Sequence, residues 1–211
     1  MLALQKVVED TNIIVLSDTL RHQFDGVVRN GKRIKSLANF ADDDFFIDPA
    51  RIDAKYHDRP WRLVFLSNMI EAKGYQDLVD AYVGLEPEEK KHCTLALAGA
   101  FLDPTREREF RKRIRAHPSI RYLGAVHGKQ RTRLMQDAHV FVLPTYIPYG
   151  EGQPVSKLEA YASGCVVVTT RLGGIPDVFA DPTNGKFVPG HAPGALRAVL
   201  RELLFGTDPS S

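Results

Sequence analysis

The stretch Val140–Thr169, VFVLPTYIPYGEGQPVSKLEAYASGCVVVT, decides the fold. It opens and closes on short apolar runs, Val140–Leu143 and Val166–Thr169, unbroken enough for strands buried on both faces of a sheet. Between them Pro154 suits the first turn of a helix, where its missing N–H costs nothing, and Gly164 suits the stop. A helix over about 154–163 that joins two such strands is a crossover, the connection that parallel strands require.

The same alternation continues outward on both sides. Strands are expected at Arg62–Leu66, Thr94–Ala98, Ile120–Leu123 and Lys186–Val188, and helices over about 72–84, 104–116, 128–137 and 192–204. A short helix is expected around Pro176–Phe179. Strict strand–helix alternation implies an α/β fold, a Rossmann-like doubly wound parallel sheet. Upstream, Asn12–Leu16 and Arg33–Leu37 read as two further strands, with a short helix ending near Phe24 and a turn at Asn39–Asp44. Pro49, Pro60 and a high density of charge mark 48–60 as a connector. The chain thus divides into 1–47, the connector 48–60, a main unit 61–205 and a tail 206–211.

Composition narrows the function. The 211 residues are 44% hydrophobic and 26% charged, enough to bury a core, and the net charge of +2 argues against a nucleic-acid coat. No apolar run is long enough for a membrane helix, and Met1–Asp10 is unlike a signal peptide. Cys93 and Cys165 sit in apolar runs and read as reduced core thiols of a cytoplasmic protein. The six basic residues of REREFRKRIR, Arg106–Arg115, read as a solvated face with Phe110 and Ile114 turned inward.

Ligands of doubly wound sheets sit beyond the carboxyl ends of the strands. That rule selects the loops Ser67–Lys73, Gly99–Phe101, Gly124–His127, Pro144–Gln153 and Arg171–Gly174. The helix after Gly150-Glu151-Gly152 would aim its free N–H groups near Gln153–Ser156 at those ends, an anion site by geometry. Glu151 and Glu159 are eight residues apart, a rise of ~12 Å if all eight are helical, too far for a glycosidase pair. That span instead fits an extended sugar nucleotide, with one carboxylate for sugar hydroxyls and the other for a ribose diol. The bland alternative is two solvated helix glutamates.

In order, FVLPT, EGQPVSKLEA, SGCVVVTT, GGIPD and NGKFV between Ile120 and Gly190 resemble the C-terminal, donor-binding domain of a GT-B glycosyltransferase of the retaining family 4. FLSNMIEAKG resembles that family's Gly-Arg-x-x-x-x-Lys-Gly loop, and VLSDTL through NFADDDFF resembles the end of its N-terminal domain. The resemblance implies catalytic roles for Glu151, at the donor sugar, and Lys73, at the diphosphate. It implies that Glu159 binds ribose, that Val126 reads the base through its backbone, and that Val155 and Ser156 give amides to a phosphate. Asn68, Gly152, Gln153, Gly173 and Gly174 complete the implied donor site. Asn68 stands where the family has arginine, and Arg171 is the candidate substitute cation.

The implied enzyme is a hexosyltransferase that takes a nucleoside-diphosphate sugar as substrate, with no cofactor and no metal. Its acceptor would be a saccharide or lipid-linked saccharide, with peripheral membrane contact through the parent enzyme and no nucleic acid. Two alternatives stand beside it: a non-catalytic nucleotide-sugar-binding module, and a GT-B-fold sugar-nucleotide epimerase. An oxidoreductase is disfavoured because no Gly-x-Gly-x-x-Gly follows a strand. Asp42–Asp44 contain Asp-x-Asp, a metal site in a different fold, but here follow a turn. His127 reads as structural, while Tyr146 and Tyr149 either line the sugar pocket or cover the loop. The boundaries imply a fragment whose strands near 12–16 and 33–37, remnants of a missing N-terminal domain, pair only with each other or lie against the main unit and leave apolar surface exposed.

Overall fold

A computed structural model describes residues 11–28, 33–147, 151–179 and 185–206. The first strands, β1 (Ile13–Val15) and β2 (Ile34–Ser36), pair with each other, one of the two arrangements expected, and do so in parallel. Helix α1 (Pro49–His57) and strand β3 (Trp61–Leu66) follow. After β3 come α2 (Tyr75–Val83), α3 (Pro87–Lys90), β4 (Cys93–Ala98), α4 (Pro104–Ile114) and β5 (Ile120–Tyr122). The chain then runs through α5 (Gly128–Asp137), β6 (Val140–Leu143), α6 (Val155–Ala162), β7 (Val166–Thr169), β8 (Gly185–Phe187) and α7 (Pro193–Phe205).

Six strands form one parallel sheet in the order β5-β4-β3-β6-β7-β8. Every residue of β6 is buried, because helices cover both faces of its sheet. The strand order reverses between β3 and β6, so a crevice opens beyond their carboxyl ends. Ser67–Lys73 and the described parts of the loop after β6, 144–147 and 151–153, therefore face each other.

Three local readings are corrected. The connector 48–60 is helical over Pro49–His57: Pro49 occupies the first turn, and the Asp48 carboxylate accepts the Ala50 N–H at 2.7 Å. This helix is fastened to the main unit, since Lys55 Nζ donates to Ser163 O at 2.7 Å and Tyr56 OH donates to His139 O at 2.9 Å. The helix expected over 72–84 is split by Gly74 into a 3-10 turn at Glu71–Lys73 and the α-helix Tyr75–Val83. Helix α3 was not anticipated, although Pro87 at its start and the Glu89 carboxylate accepting the Glu86 N–H at 2.8 Å are ordinary start signals.

The β1–β2 pair has its own small core of Val15, Leu20 and Ile34, and leaves Ile14 66% and Phe40 81% exposed. Polar contacts tie it to the main unit. Asp177 accepts from the hydroxyls of Ser17 and Thr19, the latter at 2.7 Å, and these bonds hold its carboxyl below the usual range. Asn39 bonds Gln153 twice, giving its backbone N–H to Gln153 Oε1 (2.9 Å) and its Nδ2 to Gln153 O (2.8 Å). Cys93 and Cys165 are buried and free. No helix among the described residues is long and apolar enough to cross a membrane.

Gly74 has φ +75°, and a Cβ there would lie 2.2 Å from Pro144 O, where the two crevice loops meet. Gly74→Ala is expected to lower stability by about 2 kcal/mol or more, from backbone strain plus a backbone clash. Urea unfolding checks this.

Candidate functional site

The loop after β3 is set by backbone bonds before any side chain acts. Ser67 and Met69 give their N–H groups to Ala98 O (3.1 Å) and Ala100 O (2.9 Å), which locks the loop to the end of β4. Lys73 N–H closes the 3-10 turn on Ile70 O at 3.0 Å. Lys73 Nζ thereby reaches across the crevice to the Glu151 carboxylate, and both side chains are largely buried. Thr145, at the end of β6, donates to the same carboxylate at 2.7 Å. Tyr146 N–H gives to Ala72 O at 2.8 Å, so backbone and side chains together join the two loops.

The Glu151 backbone is held from the opposite side. Gly174 N–H donates to Glu151 O at 2.9 Å. Gly173, at φ +55°, passes so close that a Cβ would lie 1.9 Å from the same carbonyl. Glycine is required there for both reasons. Beneath this loop lies Lys157, fully buried, donating to Ile175 O at 3.2 Å. Burial pushes its pKa down to about 8, against the opposing pull of Glu151 and Asp177.

Helix α6 begins at Val155, with Pro154 as its cap residue. The 151–154 segment is therefore not helical, and the ~12 Å rise inferred for Glu151 to Glu159 does not apply, because only Glu159 stands on the helix. Glu159 is buried and paired with Arg131 of α5, whose Nη2 lies 2.5 Å from Oε2. Burial raises the Glu159 pKa, and the Arg131 charge and hydrogen bond oppose that rise.

A cavity of about 410 Å³ opens beyond the strand ends, and it is lined by Asn68, Lys73, Val126, Arg131, Val155 and Ser156. Five of these six were singled out from the sequence. Glu151 and Glu159 join the cavity through their partners Lys73 and Arg131. Gly152, Gln153, Gly173 and Gly174 are not on its wall. Gly152 and Gln153 pack under the N-terminal segment, against Leu16 and Asn39, and the two glycines buttress Glu151. His127 lines the cavity as the exposed cap residue of α5. Tyr149 lies outside the described residues.

Arg171, the candidate substitute for the arginine missing at Asn68, does not line this cavity. It lines a separate depression of about 520 Å³ near the ends of β7 and β8, with its guanidinium 4.1 Å from the Phe187 ring centroid. Tyr146 lines that depression too and stacks on His191. The second cation on the cavity wall, beside Lys73, is Arg131, which sequence reading missed because it lies in a polar, solvent-like helix; its position four residues after His127 was the available signal. Asp42 accepts the Asp44 N–H at 3.1 Å and caps a turn, and no cluster of three or more His, Cys, Asp or Glu able to hold a metal occurs among the described residues.

Comparison with known proteins agrees with this architecture. The family model described as Glycosyl transferases group 1 matches residues 60–205. A D-inositol 3-phosphate glycosyltransferase of Corynebacterium kroppenstedtii is 26% identical over 147 residues, covering 67% of this chain and 32% of the relative. A D-inositol 3-phosphate glycosyltransferase 2 of Catenulispora acidiphila is 27% identical, covering 58% and 29%. The chain thus spans about a third of the length of these curated relatives. The crystal structure of Anabaena Alr3699/HepE in complex with UDP and glucose superposes with a TM-score of 0.78 at 18% identity, over 97% of this chain and 56% of that one. At that identity the likeness is one of fold, the GT-B glycosyltransferase fold.

Lys157 supplies a pH test of the buried site. Its pKa is lower folded than unfolded, so the folded state loses its proton first as pH rises. Stability should therefore increase between about pH 8 and pH 10.5. Lys157→Met, which removes the buried charge, is expected to abolish that increase and to stabilise the protein at pH 7 by roughly 1–3 kcal/mol. Thermal melts of both proteins across that range measure it.

Proposed function

This chain belongs to the group 1 glycosyl transferase family, and from that premise we propose that it is the donor half of a retaining transferase that uses a nucleoside-diphosphate hexose. The observation that carries the reading is the pairing of Lys73 with Glu151 beside the start of α6, at the point where the strand order reverses. Val126 presents backbone to the base, and the Glu159 carboxylate accepts from the ribose hydroxyls. The diphosphate takes the Val155 and Ser156 amides, which precede the first intrahelical bond, Lys157 N–H to Pro154 O at 3.1 Å.

As the diphosphate enters, the Lys73 ammonium exchanges Glu151 for phosphate oxygen. The bond from the sugar's anomeric carbon to the diphosphate breaks, and the leaving oxygen keeps the electron pair. Lys73 stabilises that charge without a metal or cofactor. Glu151, released from Lys73 and still bonded to Thr145, turns to the sugar hydroxyls. An acceptor hydroxyl, on a saccharide or lipid-linked saccharide, forms the new bond to the anomeric carbon and passes its proton to the departing diphosphate oxygen. The acceptor would lie on a second domain, in keeping with the share of each relative that this chain spans. UDP is the first nucleotide to test, because the Anabaena protein was crystallised with UDP and glucose. Two buried free thiols suit a reducing, cytoplasmic setting.

Asn68, a neutral residue on the cavity wall, favours a second reading, a nucleotide-sugar-binding module without catalysis. Transfer restored by adding an N-terminal half in trans supports the enzyme.

Calorimetry with UDP, GDP and ADP tests the donor site. UDP is expected to bind, and absence of binding by all three at millimolar concentration, on folded protein, overturns the reading. Glu159→Ala should weaken UDP roughly tenfold or more, the loss of hydrogen bonds to a charged group. Glu151→Ala should not weaken UDP, since Lys73 is then free for the diphosphate, and should weaken UDP-glucose.

A further inference from the structure

We propose that Arg131 is a positioning residue of the donor site, one that turns Glu159 into a receptor for a vicinal diol. This rests on the donor reading above. Glu159 comes from α6 and is 4% exposed, so its charge needs a partner. Arg131, from the facing helix α5, provides one through Oε2 alone. Oε1 meets no protein donor among the described residues.

A second observation points to a ligand. Arg131 Nε is buried and has no hydrogen-bond partner. Such orphans are rare and call for an explanation. Two side chains already bonded to each other thus offer a carboxylate oxygen able to accept and an N–H able to donate. A hydroxyl, which both donates and accepts, satisfies the two together. Phosphate satisfies only the arginine, since it would meet Glu159 as a like charge. The pair therefore selects a ribose edge over a phosphate, and ribose over deoxyribose.

The charges around Glu159 decide its pH behaviour. Arg131 of α5 favours ionisation, and Asp42, in the turn before Phe45, opposes it. β6 and β7, packed against α6, carry no titratable side chain. Lys73 and His127 line the same cavity. Without Arg131, Glu159 takes up a proton at higher pH, and ligand affinity is lost earlier as pH falls.

The test is calorimetry of UDP and 2′-deoxy-UDP on the wild-type chain, Arg131→Lys and Arg131→Gln between pH 5 and 8, with circular dichroism to show that each is folded. The wild type is expected to favour UDP by roughly tenfold. Arg131→Gln should bring the ratio close to one and move the loss of UDP affinity to higher pH. Arg131→Lys should keep the pH profile and lower the ratio, because lysine keeps the charge without the Nε donor. If Arg131→Gln does not fold, Arg131→Lys carries the test, and an unchanged ratio there overturns the proposal. Equal weakening of both ligands with an unmoved pH profile also overturns it. A wild-type chain that binds neither ligand overturns the donor reading itself, a result distinct from any effect of Arg131.

Discussion

The pairing of β3 with β6 governs everything that faces the crevice. Leu63 and Val64 lie opposite Val140 and Phe141, so the two strands run side by side although the chain has built β4 and β5 between them in sequence. Their exit loops are forced together, and neither can satisfy its polar groups alone. Tyr146 N–H therefore uses Ala72 O, and the Glu151 carboxylate uses both Lys73 and Thr145. A buried ion pair gains little net stability over an apolar one of similar shape, while the loss of either partner leaves an uncompensated charge. Stability alone is thus a poor reason for Lys73 and Glu151 to be there. A ligand that exchanges with one of them is a better one.

The N-terminal segment shares this logic from the outside. It has too small a core to hold β1 and β2 in place unaided. It is held by Asn39 on Gln153 and by Ser17 and Thr19 on Asp177, two points that flank the loop carrying Glu151. Gln153 and Gly152 are then explained as the floor on which this segment rests. The exposed Ile14 and Phe40 lie on the same segment, so part of the apolar surface left open belongs to it.

The sheet was legible because its strands are unbroken apolar runs, and burial on both faces leaves no other pattern. The crossover helix Val155–Ala162 was legible from Pro154 and Gly164, and the loops at the strand ends followed from topology alone. What stayed hidden was set by tertiary contact. Charge and proline in 48–60 suggested a connector, yet Lys55 and Tyr56 find carbonyl acceptors that become available only once α6 and β6 are in place. Arg171 and Arg131 were indistinguishable as loop and helix arginines. Only the fold shows that one lies against Phe187 and the other against Glu159.

The near-neutral net charge gains a sharper meaning from these pairs. Two carboxylates and two cations meet at the cavity, Glu151 with Lys73 and Glu159 with Arg131, so each cation there is matched by an acid. A diphosphate entering it would meet repulsion from one acid unless that acid had something else to do. In the proposed reading each has: Glu151 has Thr145 and the sugar hydroxyls, and Glu159 has Arg131 and the ribose diol. Discrimination then comes from the exchange of partners and not from bulk attraction. A phosphate without a sugar or ribose would release Lys73 yet leave Glu151 short of a partner, and the buried acid would oppose its binding.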